Sequence, residues 1–160
     1  MIDNTALRRA VVSGLTNYLN VPIIRSNQNV TPPKYPYLSY TVTTVLNANG
    51  GTWGEYPDGV DRIPATQTWS ITAQSTSEAE SVELAIKAQE WLSHIGRTYL
   101  NDNDVIVQSV TNITNRDNMI SIDYEYRNGF DVVFYFLSEV GNPAEEIIEN
   151  ITLKGGIENV

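Results

Sequence analysis

The sequence predicts an α+β protein of a single domain: a mainly antiparallel, twisted sheet of four to five strands packed against two helices, with one long loop between two strands. Three observations predict it. Two segments, within residues 4–19 and 77–96, space their apolar residues three and four apart. Several others alternate apolar and polar residues at the strand period of two. The 160 residues and 41% hydrophobic content supply one core and are too few for two comfortable ones.

Composition removes several chemistries. The chain has no cysteine, which excludes disulfides, thiolate metal sites and thiol nucleophiles. A net charge of −9 and a pI near 4.4 argue against gripping nucleic acid, because phosphate binding depends on Lys and Arg displacing counterions. An acidic surface can still stand beside DNA and let it pass. The opening MIDNTALRRAVV lacks the apolar core and cleavage site of a signal peptide, and no stretch reaches the roughly 18 apolar residues of a membrane span. A soluble protein made in the cytosol, without a membrane, is expected.

In the first helix Leu7, Ala10, Val11, Leu15, Tyr18 and Leu19 form the apolar stripe, Asp3 or Asn4 caps the start, and Asn20 with Pro22 stops it. The run VPIIR then leads into SNQNVTPPKYP, whose prolines leave too few ladder donors for a central strand and predict a rigid extended connection. Tyr37–Leu46 alternates, and so does TQTWSITAQS with Trp69, Ile71 and Ala73 on one face; the two are expected to pair as neighbours. Between them residues 47–65 are too long and too rich in Gly, Pro, Asn and Asp for an ordinary hairpin. Trp53 and Tyr56 on that loop are large apolar groups with nothing local to bury them: either they anchor the loop on another protein, or they fold back on their own sheet.

The second helix carries a capping box, Ser77 with Glu80, and Gly96 is expected to end it in a left-handed conformation. Leu84, Ala85, Ala88, Trp91, Leu92 and Ile95 make its core stripe. Val82 and Ile86 fall outside, a small apolar ridge on the polar side. The ridge is read either as a place where a second subunit packs or as an ordinary surface feature.

VIVQSVTNIT is a predicted strand, NRDN a turn, and ISIDYEYR a further strand. Asn128-Gly129 reads equally as a hairpin turn or as a bulge in one long strand. Beyond it Phe130, Val132, Phe134 and Phe136 face one side, Val133, Tyr135 and Leu137 the other, the pattern of a strand covered on both faces. Glu125 and Arg127, two apart on one face, are placed to pair across strands or across a subunit boundary. Residues 138–160 form a C-terminal extension beyond the domain of residues 1–137, expected to add an edge strand to its own sheet or a neighbour's.

Catalytic signals are weak. His94, the only histidine, is expected to be a surface or helix-end residue, and one His without Cys builds no common zinc site. NANGG lacks the spacing and lysine of a phosphate loop, Asp123 and Glu125 are ordinary exposed acids, and NDNDV lacks the twelve-residue calcium loop.

The order of elements, together with Gln28, Pro33, Pro36, Tyr37 and Tyr40 and the stretch YEYRNGFDVVFYF, resembles the tail-terminator or neck-terminator proteins of tailed bacteriophages over roughly residues 7–137. That resemblance implies a small α+β subunit without enzymatic activity or cofactor. It implies a ring, commonly of six copies, that caps the tail tube below, meets a head-completion or connector protein above and lets DNA through its lumen. It also implies a virion protein of the tail or neck, assembled in the host cytoplasm. Trp53, Tyr56, Val82, Ile86, Glu125, Arg127, Val133 and Tyr135 are the expected subunit-interface residues. The rival reading is a monomeric binding module whose exposed aromatics take a glycan or peptide.

Overall fold

The structure is a computed structural model that describes residues 4–26, 28–48, 60–117 and 125–141. The chain forms two compact units, Asp3–Asn47 with Thr66–Phe136, and Met1–Ile2 with Ala48–Ala65 and Leu137–Val160. The first unit holds every described helix.

Helix α1 is Asn4–Leu19 and buries Leu7, Ala10, Val11 and Leu15. Asn20 ends it with φ 54°, its N–H bonded to Thr16 O at 2.9 Å, a left-handed cap that asparagine tolerates. Strand β1 (Ile23–Arg25) runs parallel to β2 (Tyr37–Ala48), and Gln28–Pro36 between them carries no strand, as its prolines require. Strand β3 is Val60–Ser75, α2 is Glu78–Glu90, α3 is Arg97–Asp102, β4 is Ile106–Val110, β5 is Thr114–Asn115 and β6 is Tyr126–Gly141. The sheet is six-stranded, open and mostly antiparallel, in the order β1-β2-β3-β6-β4 with β5 also on β6. The fold is the expected α+β type with β2 and β3 adjacent. The extra elements, β1, β5 and α3, have three, two and six residues, too few to show a period.

Several local expectations change. The loop between β2 and β3 is shorter than residues 47–65, because buried Ile63 and Ala65 continue the alternation of Trp69 outward through exposed Pro64. Residues 49–59, which include Trp53 and Tyr56, and residues 118–124 and 142–160 lie outside the described residues. Strand β6 continues four residues past Leu137, to Gly141.

Gly96 is not left-handed: its φ is −88°. The helix runs from α2 into one π-helical turn, Trp91–Ile95, and Gly96 is needed for space, since a Cβ there would stand 2.3 Å from Trp91 Cε2. On α1 a Cβ at Gly14 would stand 2.5 Å from Trp91 Cη2. Two glycines therefore make room for one indole. The capping box is half formed. Ser77 Oγ accepts from Glu80 N at 3.4 Å, but Glu80 does not reach back; Ser77 N donates to Ser75 Oγ at 3.1 Å, and Ser75 Oγ donates to Glu80 Oε1 at 2.5 Å.

Asn128-Gly129 is neither a hairpin nor a chain reversal, for β6 passes straight through it. Buried Asn128 donates from Nδ2 to Ser81 Oγ at 3.1 Å, and Ser81 Oγ donates to Ala73 O at 2.9 Å, pinning α2 to β3 and β6. On the opposite side a Cβ at Gly129 would stand 2.4 Å from Ile71 O and 2.9 Å from Arg116 Nη1. The dipeptide that signals a turn is here a polar pin beside a close crossing.

The core lies on the helix side of the sheet. Tyr40 stacks on Trp69 at 4.5 Å and Trp69 meets Phe134 edge-on at 5.3 Å, an aromatic row across β2, β3 and β6. Trp69 also donates from Nε1 to Gln67 Oε1 at 2.6 Å, and Gln67 Nε2 donates to Val45 O at 2.8 Å, so the polar groups in this row are paired.

Candidate functional site

Four of the eight residues the sequence singles out, Glu125, Arg127, Val133 and Tyr135, lie on or beside β6. On β6, Phe130, Val132 and Phe134 are fully buried, while Asp131, Val133 and Tyr135 between them are half-buried and Leu137 is 50% exposed. Of the two faces expected to be covered, one is buried and the side chains of the other are half-buried. Among the described residues the helix-side positions of β6 are buried and the outer positions are not. Register places Ile106 of the edge strand β4 opposite Tyr135 and Ser109 opposite Val133. Ile106 is 45% exposed. Ile106, Val133 and Tyr135 thus form one apolar patch on the outer face.

Polar groups cover the neighbouring part of that face. Arg116, entering from β5, crosses over Gly129: Nη1 donates to Ser70 Oγ at 2.6 Å and Thr72 Oγ1 at 3.1 Å, and Nη2 donates to Asp131 Oδ1 at 3.1 Å. A guanidinium can lie this close to β6 only where no Cβ intervenes. Glu125 and Arg127 are brought together, with Arg127 Nε donating to Glu125 Oε1, and the Tyr35 hydroxyl donates to Glu125 Oε2. The pair therefore closes along its own strand, with a tyrosine from the connection as third member. Arg127 N donates to Asp117 Oδ1 at 2.6 Å. Glu125 raises the Tyr35 hydroxyl pKa from 10.0 to about 12, chiefly by accepting its hydrogen bond and less through burial. Tyr37, stacked on Tyr35 at 5.5 Å, is raised as well, by burial first and by Glu125 second.

Two more surfaces are apolar and open. Val82 and Ile86 are 36% and 41% exposed on the back of α2, in a shallow depression with Glu78, Glu83, Lys87 and Glu90. The outer part of β2, Thr43–Ala48, is exposed throughout and carries Val45 and Leu46. There the expected alternation of a half-buried strand stops, since neither face is covered.

Nothing here gathers reactive groups. His94 is exposed on the π-helical turn. Among the described residues no cluster of His, Cys, Asp and Glu could hold a metal ion, and no helix is long and apolar enough to cross a membrane. Sequence reasoning missed Arg116, Ile106 and Ser81. Ile106 had the alternation of its strand as a signal; Arg116 and Ser81 had none, because each acts across the sheet or from helix to sheet.

The α+β fold thus leaves a partly open apolar patch on the sheet and an exposed apolar ridge on α2. The description of the phage neck terminator protein matches residues 4–160. The chain belongs to that family. It is a bacteriophage virion protein of the tail and neck, with a structural role in joining head to tail alongside other head and tail proteins. No curated protein matches it at a significant level. One solved chain, named only by a sequence identifier, is 14% identical, with 85% of this chain and 96% of that one covered and a TM-score of 0.45.

Proposed function

We propose that copies of this chain close into a ring, of six subunits as is common for such rings, that ends the tail tube and joins it to the head-side connector, with DNA passing through the lumen. The role is structural and not catalytic. One observation supports the reading: Ile106 on the sheet and Val82 with Ile86 on α2 are exposed, and Val133 and Tyr135 beside Ile106 are only half-buried. Neighbouring copies supply the cover, exposed Val45 and Leu46 add to it, and Trp53 and Tyr56 act as further anchors. Past the end of β6 at Gly141, the C-terminal extension adds an edge strand, to its own sheet or to a neighbour's. The net charge of −9 favours a lumen that DNA traverses without being held.

Light scattering of the purified chain, followed by addition to purified tail tubes, tests this. A ring mass and blunt, capped tubes are expected. A monomer that leaves tubes growing contradicts it.

A further inference from the structure

Charge is unevenly placed along the chain. Residues 1–36 hold Arg8, Arg9, Arg25 and Lys34 against the single acid Asp3, although the whole chain carries a net charge of −9. Arg25 ends the edge strand β1, and both Arg25 and Lys34 are exposed without an ion pair among the described residues. Between them Val30 stands 69% exposed on the proline-rich connection. Two unpaired cations and one apolar side chain are thus exposed on one short stretch of the chain.

The back of α2 has the opposite character. Val82 and Ile86 form its apolar ridge, flanked by exposed Glu78, Glu83 and Glu90. Glu83 is partly answered by Lys87, its i,i+4 partner at 2.9 Å, whereas Glu78 and Glu90 have no ion pair among the described residues. Glu80 is turned away into its bond with Ser75.

We infer that these two surfaces are the two halves of one subunit contact: the α2 ridge of one copy receives the Arg25, Val30 and Lys34 surface of the next. The inference rests on the proposed ring and names its faces. Each offers what the other lacks, exposed apolar side chains beside unpaired charges of the opposite sign. Both lie on the same chain at different places, so the contact is head-to-tail, and repetition of a head-to-tail contact gives a ring when the rotation closes. A different protein as occupant would explain one surface and leave its complement idle.

Charge reversal separates the possibilities. One variant carries Glu78→Lys and Glu90→Lys, a second Arg25→Glu and Lys34→Glu; all four positions are exposed, and circular dichroism confirms folding of each. Each variant alone is expected to self-associate at least about tenfold more weakly than wild type at low salt, with the difference narrowing as salt screens it. An equimolar mixture of the two is expected to regain association in alternating order, as is the chain carrying all four changes. If wild type associates while both variants associate as it does, or if the mixture fails to recover, the assignment of faces is overturned and the ring stands. If wild type stays monomeric at every concentration and ionic strength, the ring itself is overturned, and this contact with it.

Discussion

The two faces of strand β6 differ as the inside and outside of a folding problem. On the helix side Phe130, Val132 and Phe134 are sealed, and the row Tyr40, Trp69 and Phe134 locks three strands together. On the outer side Val133 and Tyr135 are half open beside Ile106, and the next stretch is held by Arg116 through hydrogen bonds to Ser70, Thr72 and Asp131. The first face fixes the fold of one chain. The second is left half open by the described residues. Apolar side chains thus have two separate uses on one strand, and their exposure tells them apart.

The sharpest break of the comparison lies on the closed face. Trp69→Ala removes the centre of the aromatic row and its bond to Gln67, and urea unfolding of the isolated subunit is expected to show a loss of about 3–5 kcal/mol. Gly129→Ala acts at the border between faces: its Cβ meets a backbone carbonyl at 2.4 Å, which costs about 1–3 kcal/mol as overpacking and displaces Arg116. Asn128→Ala, which unpins α2 from β6, is expected to cost about 1 kcal/mol in the same measurement.

Tyr35→Phe probes the polar cluster by pH. The raised pKa means that the folded state favours the neutral phenol. Its contribution is complete below pH 10 and is lost as pH rises towards about 12. Tyrosine absorbance should therefore show one late-titrating group in wild type that is missing from the variant. Stability of the variant should fall less steeply across that interval. Smallest for folding is Tyr135→Ser on the open face, expected to shift urea stability by less than about 1 kcal/mol while weakening self-association.

Much of this was legible in the sequence wherever a period runs long enough to count. The stripes of α1 and α2, apart from Tyr18 and Ile95, which are exposed, the β2–β3 neighbours and the alternation of Phe130 to Phe136 are of that kind, and so is the ridge of Val82 and Ile86. Short-range signals did less well. Gly96 and Asn128-Gly129 carry the residues of a helix end and a hairpin, yet both serve close approaches, one to Trp91 and one to Ile71 and Arg116, that local spacing does not encode. Continuous hydrophobicity in FDVVFYFL showed that both faces of the strand are apolar. It could not show which face is buried and which half-buried, because coverage depends on where the helices land.

The most direct test of that difference is hydroxyl-radical footprinting of the protein at concentrations below and above self-association, with mass measured in parallel. Tyr135, Val133 and Ile86 are expected to lose reactivity as mass rises, while Trp69 stays protected in both states. Unchanged reactivity of Tyr135 and Ile86 in an assembled species would contradict the account.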